Sequence, residues 1–279
     1  MRRSILRHSR NAVLATFVLA VALTLLSSRA QGAEQPEWRA LERGMEHALV
    51  GGDFRLELLR FDLARFRVQV TVTDAGRGRR RTAGEVLADG NGAVAVVNGG
   101  FFDHKGRPLG LRIDGGKTLV PFRRKVDWGV FFVMDHRAHI VHSRDFSPSR
   151  GIEAAIQVGP RILIDGTVPR LKPQTARRTA VALDKDNRRL TLVIAPDPVA
   201  ADALGARLAE LGYHTALMLD GGPSTQLAAN IEFAGRRSKH PSAEALEIPG
   251  GYGVPDLLVV TRRREGFANP ARRARPQKD

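Results

Sequence analysis

The chain has 279 residues, 43% of them hydrophobic, which is enough for one sizeable core or two. It contains no cysteine, which excludes disulfide staples and thiol chemistry. A formal net charge of +15 favours polyanionic partners, yet 6% aromatic residues and the absence of a reader motif fit nucleic acid poorly.

Arg2, Arg3, Arg7 and Arg10 precede an apolar run from Ala12 to Leu26, and Ser28-Arg29-Ala30 follows it. A basic start, a short oily middle and small residues at the end predict an export signal over residues 1–33, cut after Ala30 or Ala33. The run is short for a membrane span, and an uncleaved anchor is the alternative. The expected address is periplasmic or extracellular.

Phe54–Asp62 and Arg65–Thr73 predict a hairpin. In its second arm Phe66, Val68, Val70 and Val72 alternate with Arg67, Gln69 and Thr71. Arginines crowd Gly76–Arg81. Thr82 with Glu85 makes a capping box for a short helix through Val86 and Leu87. After the Asn91-Gly92 turn, "AVAVVNGG" opens with a continuously apolar run, so its strand is expected to be covered on both faces.

Two stretches then read alike. "LRIDGGKTL" with "GVFFVMDHRAHIVHS" and "RILIDGTV" with "TAVALDKDNRRLTLVIA" each give a strand, a DG turn and a hairpin closed by polar residues, which suggests an internal duplication. Asp202 opens a helix with Leu204, Leu208 and Leu211 on one stripe, stopped by Gly212. "TALMLDGGPSTQL" is a second buried strand, and "DLLVVT" from Asp256 to Thr261 is the last. Between Arg262 and Asp279 stand seven basic and two acidic residues, so 263–279 reads as a basic, disordered tail able to touch a membrane surface. The expected fold class is α+β, a mixed but largely antiparallel twisted sheet with a few packed helices, in one domain over residues 34–262.

Asn98-Gly99-Gly100 and Asp220-Gly221-Gly222 each end a buried strand. Such an end holds its last polar side chain rigidly, and the glycines let backbone N–H groups approach an anion closely. The same tripeptides also serve as plain tight turns. Ser224 has no G-x-S-x-G context and reads as an N-cap rather than a nucleophile. "DGGKT" from Asp114 to Thr118 lacks P-loop spacing. His136, His139 and His142 alternate faces in a strand, which argues against a shared metal. His104 is a weaker acid–base candidate, and Trp128 suits the core or a stacked sugar.

"NGGFFD", "LGLRIDGGK", "QVGPRILIDG", "RRTAVALD" and "LMLDGGPST" occur in that order between Asn98 and Thr225. Together they resemble the phosphodiester glycosidase family, from about Ala93 to Val260. The chain departs from the family pattern at Pro223, where glycine is usual, and at Pro196–Asp202, which replaces a "DGR" stretch. The resemblance implies hydrolysis between an anomeric carbon and a phosphodiester, in an envelope polysaccharide or other glycan. It implies Arg178 as a phosphate clamp, with Asp220 and Asp103 as the catalytic carboxylates. Asn98, Gly99, Gly100, Gln157, Thr179, Gly221, Gly222 and Ser224 form the expected substrate-binding set. Either carboxylate also suits a divalent cation such as Ca²⁺, and the residues leave that choice open. A non-catalytic binder of anionic envelope polysaccharide is the rival reading.

Overall fold

The computed structural model describes residues 35–73, 80–231 and 245–263. The expected leader, most of the Gly76–Arg81 run and nearly all of the basic tail lie outside them. No helix among the described residues is long and apolar enough to cross a membrane.

The chain begins with β1 (Arg39–Glu42), β2 (Met45–Val50), β3 (Leu56–Asp62) and β4 (Phe66–Val72). Helix α1 (Ala83–Ala88) starts on the predicted capping box: Thr82 Oγ1 accepts the Glu85 N–H at 3.2 Å, and the Glu85 carboxylate accepts the Thr82 N–H at 2.9 Å. Then come β5 (Ala93–Asn98), the hairpins β6 (Arg112–Asp114) with β7 (Lys117–Val120) and β8 (Gly129–Met134) with β9 (Arg137–His142), and β10 (Ile152–Val158). Next are β11 (Arg161–Leu163), the long hairpin of β12 (Thr175–Leu183) and β13 (Arg189–Ala200), and α2 (Ala201–Glu210). The chain closes with β14 (Thr215–Met218), a 3₁₀ turn at Gly222–Ser224, β15 (Leu227–Asn230), β16 (Ala245–Ile248) and β17 (Asp256–Arg262).

The strands form three sheets, ordered β1-β2-β3-β13-β12-β14-β11, β7-β6-β10-β8-β9 and β16-β15-β5-β17-β4. Every strand pairing described is antiparallel, and among the described residues strands far outnumber the two helices, so this part of the chain is more β-rich than the α+β expectation. All three sheets turn one face to a shared core that includes Phe61, Val68, Val97, Ile156, Val181 and Leu217. Helix α2 sets Leu204 and Leu208 on the outer face of the seven-stranded sheet, against Leu58 and Ala182. Strand β5 is buried at all six positions, as its unbroken apolar run requires.

The expected hairpin of β3 and β4 is not formed. β3 pairs with β2 and β13, and β4 pairs with β17 in another sheet. β3 buries Leu56 and Leu58 on one face and Leu59 and Phe61 on the other, so it sits between two neighbours and offers β4 no edge. The turn between them is a corner from sheet to sheet.

The repeated stretches do share a topology. β10 lies between β6 and β8, and β14 lies in the same way between β11 and β12. This arrangement brings the ends of β5, β10 and β14, together with the starts of β8 and β17, to one rim of the molecule.

Candidate active site

The two glycine loops meet at that rim. Asn98, fully buried, donates through Nδ2 to the Asp220 carbonyl at 2.7 Å and to the Gly99 carbonyl at 3.3 Å. Its Oδ1 accepts from Thr179 Oγ1 at 2.7 Å and from the Gln226 N–H at 3.2 Å. A primary amide has two donors and room for two acceptor contacts, so Asn98 is fully engaged within the protein. The Asp220 N–H donates in turn to the Gly99 carbonyl at 3.0 Å. Asn98 therefore clips the amide-bearing and acid-bearing loops together.

A buried ion pair lies behind this clip. Arg112 and Asp256 have fully buried side chains, and Asp256 Oδ2 accepts from Arg112 Nη2 at 2.9 Å and Nε at 3.1 Å. Arg112 Nη1 also donates to the carbonyls of Leu111 at 3.0 Å and Gln157 at 3.1 Å. Asp256 accepts the Gly100 N–H through Oδ1 at 2.7 Å and the Gly99 N–H through its carbonyl at 2.9 Å. Both loop amides thus face Asp256 and not an incoming anion. A Cβ at Gly99 would fall 1.7 Å from Asp256 Oδ1, and one at Gly100 would fall 2.6 Å from Arg112 Nη2. Glycine is needed there because the ion pair comes so close.

Sequence reading did not single out Arg112 or Asp256. A faint signal exists in each case. Arg112 is a charge between Leu111 and Ile113 in a short strand, and Asp256 is an acid at the head of a buried strand.

Asp220 is half-buried beyond Met218, the last residue of β14. Burial pushes its carboxyl above the ordinary carboxylate range, and the nearby Asp256 charge pushes the same way. Hydrogen bonds from Ser224 and from the Gly221 N–H, the latter at 3.0 Å, pull it back down. Gly222 has φ +61° with open space where a Cβ would sit, a backbone that glycine adopts without strain. Ser224 is buried, and its hydroxyl lies 3.2 Å from the hydroxyl of Tyr252, which is 43% exposed.

Arg178 reaches the same rim through an irregularity. Pairing of β12 with β13 slips between Ala176, opposite Val199, and Arg178, opposite Ala195. The extra residues on β13 include Pro196 and Pro198, which have no N–H for a ladder. A bulge re-aims side chains. Here the Arg178 guanidinium turns inward, with Nε donating to the Val199 carbonyl at 3.1 Å and Nη2 to the Gln174 carbonyl. Nη1 lies 3.7 Å from the point a Cβ on Gly221 would occupy. Arg178 is 4% exposed, and desolvation lowers its pKa. No carboxylate among the described residues pairs with it, so it is a buried cation beside the Asp220 loop that lacks a counter-ion.

Of the other expected residues, Gln157 and Thr179 belong to the hydrogen-bonded frame of the rim, and Asp103 stands apart from it. Asp103 accepts from the N–H groups of Lys105 at 2.9 Å and Arg107 at 3.0 Å, and from Arg107 Nε at 2.7 Å. Those bonds, led by the Arg107 amide, hold its carboxyl down at about 2. No described hydrogen bond or ion pair links Asp103 to Asp220 or Arg178. Gln157 is fully buried and saturated: Oε1 accepts from the N–H groups of Leu111 and Arg123, and Nε2 donates to the Arg123 carbonyl and Ser143 Oγ. Thr179, fully buried, bonds Asn98. Among the described residues no group of three or more His, Asp or Glu side chains could hold a metal ion. His142 pairs with Asp127 at 2.5 Å, and His139 stacks on Phe132.

A cavity of about 660 Å³ opens at the far ends of the strands, lined by Gly44, Asp62, His136 and Arg188 among others. It contains none of these residues, and its Arg189 already pairs with Asp184 at 3.0 Å. The unpaired cation and the raised carboxyl mark the Asp220 rim as the better candidate.

Comparison with known proteins bears on the fold and the family. The chain is similar to the uncharacterized protein YigE of Escherichia coli K12, with 30% identity over 151 residues, 49% of this chain. That match spans 59% of YigE, so the chain covers less than two thirds of the curated relative's length. The fold resembles the catalytic domain of zebrafish N-acetylglucosamine-1-phosphodiester alpha-N-acetylglucosaminidase, auto-inhibited by its pro-peptide. The TM-score is 0.56 and the identity 18%, over 78% of this chain and 82% of that one. A hypothetical protein from Synechocystis matches at TM-score 0.53 and 14% identity, over 83% of this chain and 64% of that one. At such identities the structural likeness shows the fold alone. The family model for phosphodiester glycosidases matches residues 91–261, well over half of the chain, and the protein belongs to the phosphodiester glycosidase family.

Proposed function

We propose that the protein is an exported hydrolase that cleaves a sugar-1-phosphodiester bond in an envelope polysaccharide or glycan. One observation carries this reading. The carboxyl of Asp220, pushed up by burial, shares a rim with Arg178, a buried guanidinium that has no carboxylate partner among the described residues. A desolvated cation without a counter-ion is expensive to keep, and a phosphate would supply the missing charge.

The reaction follows from those two groups. The phosphodiester enters with one negative charge, which Arg178 Nη1 meets. Water attacks the anomeric carbon as the carbon–oxygen bond to phosphate breaks, and the electron pair leaves on the phosphate oxygen. Asp220 takes the proton from the water. A reducing sugar and a phosphomonoester result, and the growing phosphate charge is stabilised by Arg178 more in the transition state than in the ground state. Phosphate leaves readily, so the site needs no strong general acid. Asn98, Arg112 and Asp256 fix the rim and keep the Asp220 backbone in place.

Arg178→Ala should lower kcat/KM for a glycosyl-1-phosphodiester by about 10²–10³-fold, mostly in kcat, with partial rescue by added guanidinium. An effect confined to KM would remove Arg178 from transition-state stabilisation. The pH profile gives a second check. As a base Asp220 must be ionised, so its raised carboxyl places the acid limb above the ordinary carboxylate range. Ser224→Ala deletes a hydrogen bond that lowers this carboxyl, so the limb should move to still higher pH. A limb that stays put or moves to lower pH counts against Asp220 as the base.

A further inference from the structure

The Asp220 rim carries two sets of aromatic rings, each with a guanidinium beside it. Phe101 and Phe102 follow Gly100 and diverge. Phe101 meets Trp128 edge-on, ring centroids 5.1 Å apart, and the Arg123 guanidinium stands over the indole at 5.9 Å. Phe102 meets Tyr252 at 87° and 6.4 Å, and the Arg80 guanidinium stands over the Phe102 ring at 5.2 Å. All four rings are at least partly exposed. Among the described residues, each of these guanidiniums has an aromatic ring and no carboxylate as its partner.

Phe101 packs on the core shared by the sheets and Phe102 on the separate cluster with Val96 and Leu257, so the two sets leave the Gly100 loop in different directions. The Tyr252 hydroxyl touches Ser224, which bonds the Asp220 carboxyl. Phe101 lies two residues beyond Gly99, whose carbonyl accepts the Asp220 N–H. An exposed aromatic ring offers its face to the apolar side of a sugar, and a guanidinium beside it suits a phosphate. A site for a single small glycoside needs one such set. Two sets on opposite faces of the chain after Gly100, one of them touching Ser224 beside the acid, suit a ligand that continues in both directions.

Resting on the hydrolase reading of Asp220, we propose that these two arginine-capped aromatic pairs are glycosyl-phosphate subsites flanking the scissile bond, so that the protein takes a polymer of phosphodiester-linked sugars and cuts it internally.

The test separates binding from turnover. Full-length protein carrying Asp220→Asn is titrated with synthetic α-glycosyl-1-phosphate oligomers of one and of six repeats. The longer oligomer should bind about tenfold or more tightly, and Trp128→Ala or Tyr252→Ala should each remove about tenfold of its affinity. Arg80→Gln and Arg123→Gln, at exposed positions where folding is not at stake, should weaken the six-repeat oligomer more than the single repeat. Equal affinity for both lengths overturns the proposal, as does insensitivity to the two arginine changes. Equally tight binding of a single-stranded oligonucleotide of matched charge also overturns it, because charge alone would then explain the affinity. With the unmodified protein, early products from the six-repeat oligomer should be internal fragments. Release of single units from one end overturns the internal cut and leaves the hydrolase reading standing. Length-dependent binding without any turnover overturns the hydrolase reading and the internal cut with it, and leaves the subsites.

Discussion

Asp220→Asn is expected to cut turnover of a glycosyl-1-phosphodiester by about 10³-fold, within the range for loss of a positioned proton acceptor. The same change should leave the thermal midpoint at neutral pH unchanged or slightly raised. The sign follows from the direction of the shift. Folding raises the Asp220 carboxyl, so the folded state holds that proton more tightly than the unfolded chain does. Stability from this group is present at low pH and is lost as pH climbs through the raised value. At neutral pH the ionised Asp220 is a net cost to the fold, and an amide of the same shape relieves it. The side-chain oxygen of the substituted amide can still accept the Gly221 N–H, so the loop keeps that bond. A large fall in both activity and melting temperature would instead make Asp220 a bracing residue.

Asp256→Ala is expected to do the reverse, costing about 3–5 kcal/mol of stability because it strands a fully buried guanidinium. A typical domain has about 5–15 kcal/mol in total, so a loss of this size removes a large fraction. Arg112→Ala should cost a similar amount by stranding the carboxylate. The midpoint of urea unfolding checks both. A shift below about 1 kcal/mol would mean that water or rearrangement rescues the lone charge, and the pair would not be what holds the Gly99-Gly100 loop. Any activity lost in these variants should follow the unfolded fraction, in contrast to Asp220→Asn.

The sequence carried the parts of the fold that depend on near neighbours. The unbroken apolar runs before Asn98 and Asp220 form buried strands, Thr82 and Glu85 cap α1, and the turns at Asp114-Gly115 and Asp135-His136 close hairpins. The corner between β3 and β4 was not legible, because an alternating strand looks the same whether it folds back on its predecessor or crosses to another sheet. The same limit applied to the site. Two glycine loops after buried strands are legible as strand ends, and the fold brings Asn98 of one to the Asp220 carbonyl of the other. The Arg112–Asp256 pair joins residues 144 apart, and no local pattern records such a partner. Asp103 shows the opposite case. Its partner Arg107 lies four residues on, a turn arrangement common for an aspartate that follows glycines.

Release of reducing sugar from a defined α-glycosyl-1-phosphodiester by the purified protein, beside its Asp220→Asn variant, tests the central claim most directly. Both proteins are first verified as folded by their melting curves. The account predicts equimolar reducing sugar and phosphomonoester with the unmodified protein and almost none with the variant. Equal rates in the two, or no product from a folded unmodified protein across a panel of sugars, would contradict it.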